Sequence, residues 1–194
     1  MKERPILFNG EMVRAILEGR KTQTRRIVKD CYLTGGPPED YLLSRCPYGQ
    51  PGDRLWVRET FAWPNDQVTI YRANWREDAM RRGLDHIPKD DSGIRWNPSI
   101  HMPRWASRIS LEITNVRVEQ LNEISEEDAI AEGIDRESGE YEGYFRDYRE
   151  PDAITKNARL SYIGLWESIN GAGSWDANPW VWVIEFQRVE EEQS

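Results

Sequence analysis

The sequence predicts an α+β fold: a small barrel-like sheet of five to six strands with two to three helices packed at its side. Three observations carry this. Alternating apolar runs recur at residues 54–61 and 107–118, and helical spacing recurs at 12–17 and 160–166. The order of elements reads strand, helix, strands, helix, helix, strand. With 194 residues the chain suits one domain, 1–194, with loop insertions near 30–50, 74–99 and 135–152.

Pro5-Ile6-Leu7-Phe8 is a short apolar run and reads as the first strand. Asn9 can cap the helix that follows, on which Met12, Val13, Ile16 and Leu17 share a face, and Gly19 closes it. Residues 30–51, with their Gly-Pro clusters, read as a long loop. In Arg54-Leu55-Trp56-Val57-Arg58-Glu59-Thr60-Phe61, alternation places Leu55, Val57, Glu59 and Phe61 on one face. A carboxylate on so apolar a face is paired, terminal or functional. Gln67–Arg72 predicts another strand, while 74–99 is polar and broken by Gly and Pro.

The run 107–118 changes parity after Ile113, which predicts a bulge. Ser125 with Asp128 three residues on marks a helix start, and Gly133 its end. Residues 135–152 lack pattern and read as a flexible insertion; a second helix is expected over 154–169. In 180–186 every residue but Glu185 is apolar, which predicts a central strand covered on both faces. The acidic tail from Glu190 is expected to fray. Most of the nine tryptophans fill the spaces between shallow strands on this reading.

Composition narrows the function. The net charge is −8, yet residues 1–29 hold eight Lys and Arg against three Glu. That excludes bulk DNA coating and leaves a local basic patch able to engage a phosphate or a short RNA. Cys31 and Cys46 lack CxxC spacing and have two histidines to join them, so neither a zinc site nor any other metal or cofactor is expected. The first residues contain no apolar signal core and no run approaches membrane-spanning length; the expectation is a cytoplasmic protein with both cysteines as thiols and no membrane partner.

The stretch Gly19-Arg20-Lys21-Thr22-Gln23-Thr24-Arg25-Arg26 is too polar for core. It is either a solvated basic turn or the lining of a polar site for an anion or a reacting carbonyl. Gly19-x-Lys21-x-x-Thr24-x-Arg26 resembles the Gly-x-Lys-x-x-Glu-x-Arg signature of ASCH domains, with Thr24 in the glutamate's place. The 52–59 strand, the 124–134 helix and the terminal aromatic strand are similar to the same family, in the form found in phages and prophages. The resemblance implies a PUA-like barrel. Threonine at that position is also found in small bacterial ASCH proteins that hydrolyse N4-acetylcytidine. By that resemblance Lys21 and Thr24 match the family's catalytic lysine and threonine, and Glu59 is aligned with the carboxylate.

Two mechanisms suit these groups: neutral Lys21 accepts the Thr24 proton, or Glu59 activates water while Lys21 and Thr24 stabilise the oxyanion. Arg26 is expected either to orient Glu59 or to contact substrate, and Phe61 to contact substrate. His101, Arg104 and Trp105 offer a wall that can stack on a base and hold its polar edge; equally, Trp105 caps the barrel and His101 is an ordinary surface histidine. The resulting expectation is a metal-independent amidohydrolase acting on N4-acylated cytidine or a related modified nucleoside, free or in RNA. The alternatives are a non-catalytic module that binds RNA or a modified nucleotide, and an ASCH-type ribonuclease.

Overall fold

The computed structural model describes residues 1–35, 38–63, 68–83, 93–150 and 152–189. Strand β1 (Glu3–Leu7) leads into helix α1 (Gly10–Leu17), where the Asn9 side chain accepts from the Met12 amide at 2.8 Å. Strand β2 (Gln23–Ile27) follows, then two short helices, α2 (Asp30–Leu33) and α3 (Glu39–Ser44), in the span expected to be loop. Next come β3 (Arg54–Arg58), β4 (Phe61–Ala62), β5 (Ile70–Tyr71) and α4 (Trp75–Arg81). After them lie β6 (Ser110–Gln120), α5 (Glu126–Ala131), β7 (Phe145–Arg146), β8 (Ile154–Thr155), α6 (Ala158–Asn170) and β9 (Trp180–Val189). The 135–152 region is therefore partly ordered by the β7–β8 pairing rather than free of structure.

The main sheet has five strands in the order β1-β3-β6-β9-β2, with β1 parallel to β3 and every other pair antiparallel. The expected closed barrel is not present: among the described residues no ladder joins β1 to β2, and six α-helices replace the two or three expected. The two outer strands instead meet through a side chain, Arg26 Nη2 donating to the Leu7 carbonyl at 2.9 Å. The bulge expected after Ile113 is present between Ile113 and Asn115. Parts of all three expected loop insertions, Gln67 of an expected strand, and the acidic tail lie outside the described residues.

Both faces of β9 are covered, which explains its nearly continuous apolar sequence. Trp182, Ile184 and Phe186 join Leu55, Val57, Ile109, Leu111 and the α1 residues Val13 and Ile16 in one core. Val181 and Val183 pack on the opposite side against Ala129 of α5 and Tyr162, Leu165 and Trp166 of α6. The sheet thus separates two cores, and β2 runs along the seam between them.

Candidate active site

The basic stretch is pinned by three elements. Gly19, at φ +75°, turns the chain after α1, a conformation that costs little without a Cβ. The Arg20 and Lys21 amides then both bond the Ala15 carbonyl, at 2.8 and 3.0 Å. The Thr22 amide bonds the Ala131 carbonyl at the end of α5, and the Thr22 carbonyl accepts from the Phe186 amide of β9. The stretch is consequently not a solvated turn, for all its polarity: Lys21, Gln23, Thr24 and Arg25 are all buried.

Such burial requires partners. Lys21 Nζ donates to the Glu132 carbonyl at 2.8 Å and to Glu132 Oε2 at 2.9 Å. Arg25 Nη1 holds the other oxygen of that carboxylate, Oε1, at 3.0 Å, while its Nη2 reaches Glu119 and Asp128. Gln23 Nε2 donates to the Asp128 carbonyl. Asp128 in the first turn of α5 and Glu132 at its C-cap lie one turn apart on one helical face, and together with Glu119 of β6 they neutralise the buried cations. Burial pushes the Lys21 ammonium pKa down, against the opposing pull of the Glu132 carboxylate. Tyr162 is raised well above the usual phenol, chiefly by burial and then by Glu132.

A cleft of about 170 Å³ opens beside this network. Thr24, Arg26, Glu132, Tyr162, Leu165 and Trp166 contribute to its lining, while Lys21 stands behind Glu132, its side chain fully enclosed. The site therefore offers a hydroxyl, a carboxylate anchored by an amine, a guanidinium and an aromatic wall. That combination can activate a water, donate to an oxyanion and seat a planar ring.

Glu59 does not belong to this group. It is buried on the apolar face of its strand, as alternation predicts, but both oxygens accept from Arg108, through Nε and Nη2, each at 2.9 Å. Arg108 is fixed in turn by Asn74 Oδ1 and lies 3.9 Å from the Tyr71 ring centroid. Burial raises the Glu59 pKa and Arg108 opposes it. Glu59 lines a second cleft, of about 400 Å³, with Asn9, Gly10, Arg14, Thr60, Arg72 and others. The two clefts share no lining residue.

The other expected substrate contacts divide in the same way. Arg26 lines the Thr24 cleft. Phe61 is buried with Met102 and Ala106 in a separate cluster, and His101 is exposed in a short 3-10 turn. Arg104 makes a bidentate pair with Glu3, and Trp105 is 71% exposed and stacked on Trp63. The residue missing from the sequence reading is Glu132, which sits 111 positions from Lys21 in a run of acids that resembles a solvated helix end. Its signal is the i, i+4 spacing to Asp128 ahead of Gly133, facing an otherwise unbalanced basic stretch.

Cys31 is an exposed thiol and Cys46 a buried one. Among the described residues no three His, Cys, Asp or Glu side chains converge as a metal site, and no helix is long and apolar enough to cross a membrane.

No family model matches the chain, and no curated protein matches it. A solved structure, that of the ASCH domain from Lactobacillus crispatus JV V101, is similar over 96% of this chain and 79% of that one, at 12% identity and a TM-score of 0.42. A likeness of that degree decides neither fold nor chemistry.

Proposed function

We propose that the protein hydrolyses the exocyclic N4-acyl amide of cytidine or a closely related modified nucleoside, with Lys21, Thr24 and Glu132 as the working groups. The observation that carries this reading is the buried Lys21–Glu132 pair, with Nζ to Oε2 at 2.9 Å, set directly behind a cleft whose wall includes Thr24. The Gly19-x-Lys21-x-x-Thr24-x-Arg26 signature supports the same chemistry.

In this mechanism water attacks the acyl carbon and the Lys21–Glu132 pair takes its proton through the Glu132 carboxylate, the member that faces the cleft. The carbonyl oxygen becomes an oxyanion that accepts a hydrogen bond from the Thr24 hydroxyl. Collapse breaks the C–N bond, and the proton held by the pair passes to the departing N4 amine. One amide and one water give one carboxylic acid and one amine. Lys21 is a positioning residue that fixes the carboxylate and keeps it charged; Arg26 and Tyr162 supply polar and planar contacts to the base.

The decisive assay follows cytidine release from N4-acetylcytidine, with EDTA present. The expected result is turnover that falls by roughly 10²–10³-fold in Thr24→Ala, the loss typical of one oxyanion donor. An acyl adduct on Thr24 in a rapidly quenched digest would make Thr24 the nucleophile instead. Absence of turnover on any N4-acylcytidine, together with RNA binding, would sink the reading in favour of a non-catalytic binding module; RNA cleavage would favour a ribonuclease.

A further inference from the structure

The lining of the Thr24 cleft is divided. The cleft opens at β2, an outer strand of the main sheet, and alternation parts its residues between the two faces of that strand. Residues directly opposite one another on neighbouring strands share a face. Thr24 and Arg26 stand opposite Ile184 and Trp182, in the core that includes α1. Arg25 and Ile27 stand opposite Val183 and Val181, in the core that includes α6. The Thr24 hydroxyl and the Arg26 guanidinium therefore belong to one side of the strand and Ile27 to the other.

The α6 side is a stripe. Tyr162, Leu165, Trp166 and Ile169 recur at three- and four-residue spacing, which gives them one helical face, and all four line the cleft. Tyr162, Leu165 and Trp166 are buried in the core. Ile169, one turn beyond Leu165, is 49% exposed, and Ile27 is 47% exposed. Neither joins a core cluster among the described residues, so two isoleucines, one from a strand and one from a helix, border the same opening uncovered. The cleft's volume of about 170 Å³ lies below the roughly 300–1,000 Å³ of sites that enclose a whole drug-sized ligand. An acylated nucleoside must leave part of itself at the mouth. A ribose there would set hydroxyls against the isoleucines, whereas a hydrocarbon chain covers them at a gain.

We infer that the mouth of the Thr24 cleft is an acyl-chain subsite, formed by Ile27, Leu165 and Ile169, that selects N4-acyl groups longer than acetyl. With the acyl carbon between Thr24 and Glu132, the alkyl chain runs along the α6 stripe to the two isoleucines, and the sugar leaves on the side of Arg26. An acetyl group, with one carbon beyond its carbonyl, leaves that surface uncovered. The inference rests on the hydrolytic reading of the cleft and narrows its substrate class to amides of aliphatic acids.

The test is kcat/KM of the full chain for the acetyl, propanoyl, butanoyl and hexanoyl amides of cytidine, each normalised to its own rate of alkaline hydrolysis. The normalised value is expected to rise roughly two- to fourfold with each methylene as far as butanoyl, the worth of a methylene partly or wholly buried. Ile27→Thr keeps a β-branched residue in the strand and Ile169→Gln keeps a helix former in α6; each brings the butanoyl-to-acetyl ratio toward one. Ile100→Gln, at an exposed isoleucine outside the cleft, keeps the slope. A series that is flat or falls from acetyl, or a slope unmoved by both cleft substitutions, overturns the subsite while hydrolysis stands. No turnover of any member overturns the hydrolytic reading and the subsite together.

Discussion

Among the described residues two glutamates are buried, each beside a cleft and each held by cations, and they differ in what those cations can do. Glu59 is locked by Arg108 in a two-pronged pair that occupies both oxygens, and a guanidinium does not give up its proton. Glu132 shares its carboxylate between Arg25 and Lys21, an enclosed amine whose pKa burial pulls down. It also faces a cleft alongside a hydroxyl. Burial of a carboxylate is therefore a poor guide to chemistry. Its partner's ability to exchange a proton, and the presence of a second polar group across an open space, are the better ones.

The strongest way to break this contrast is paired amide substitution. Glu132→Gln should lower turnover of N4-acetylcytidine by about 10²–10⁴-fold, the usual worth of a proton-transfer group, while Glu59→Gln changes it by less than about threefold. Equal losses in steady-state assays would return Glu59 to the mechanism. Gly133→Ala should come next in size. Gly133 has φ +82°, and an added Cβ would lie 2.6 Å from Lys21 Cβ and 2.9 Å from Ala15 Cβ. Left-handed strain and overpacking together predict a loss of about 2–5 kcal/mol in urea unfolding, with the Lys21–Glu132 pair displaced. A smaller loss with full turnover would show that the pair tolerates movement.

The two glutamate sites also predict opposite pH windows. Lys21 is depressed in the folded state, chiefly by burial, so between that value and about 10.4 the unfolded chain holds more protons and stability rises with pH. Glu59 is raised, again chiefly by burial, so between about 4.3 and its folded value the folded chain holds more protons and stability falls as pH rises. Lys21→Met should flatten the alkaline limb and Glu59→Gln the acid limb when unfolding free energy is measured across pH. Interchanged effects would reverse the assignment of burial as the dominant cause. The smallest expected change is Trp166→Phe. The Trp166 Nε1 has no acceptor among the described residues, so its removal should leave stability unchanged or raise it by about 1 kcal/mol, read as a Tm increase.

Local patterns carried much of the fold in the sequence. The Asn9 cap, the Gly19 turn, the bulge at Ile113 and the doubly covered β9 each follow from spacing within a dozen residues. The Ser125 start of α5 does as well, its side chain accepting from the Asp128 amide. Sheet closure was not legible, because it depends on whether two outer strands meet, and only a side chain spans them here. The short helices α2, α3 and α4 bury few side chains and leave a weak period. In the candidate site, Lys21 and Thr24 were visible as a motif, but their carboxylate was not. Glu59 broke an apolar alternation and drew attention, whereas Glu132 sat among acids that look solvated until Arg25 and Lys21 are seen to turn inward.

An open sheet of this kind has two outer strands, each with a row of backbone groups that a neighbouring molecule could extend. Here they are blunted by different devices. On β1, Pro5 removes a donor from the middle of the strand, and the Leu7 carbonyl is already taken by Arg26. On β2, that same arginine spreads its charge over the Phe8 ring, 5.2 Å from the centroid, across the mouth of the gap. A single guanidinium thus guards both borders against edge-to-edge growth into fibres. The motif that shapes the cleft also keeps the sheet from recruiting its own kind.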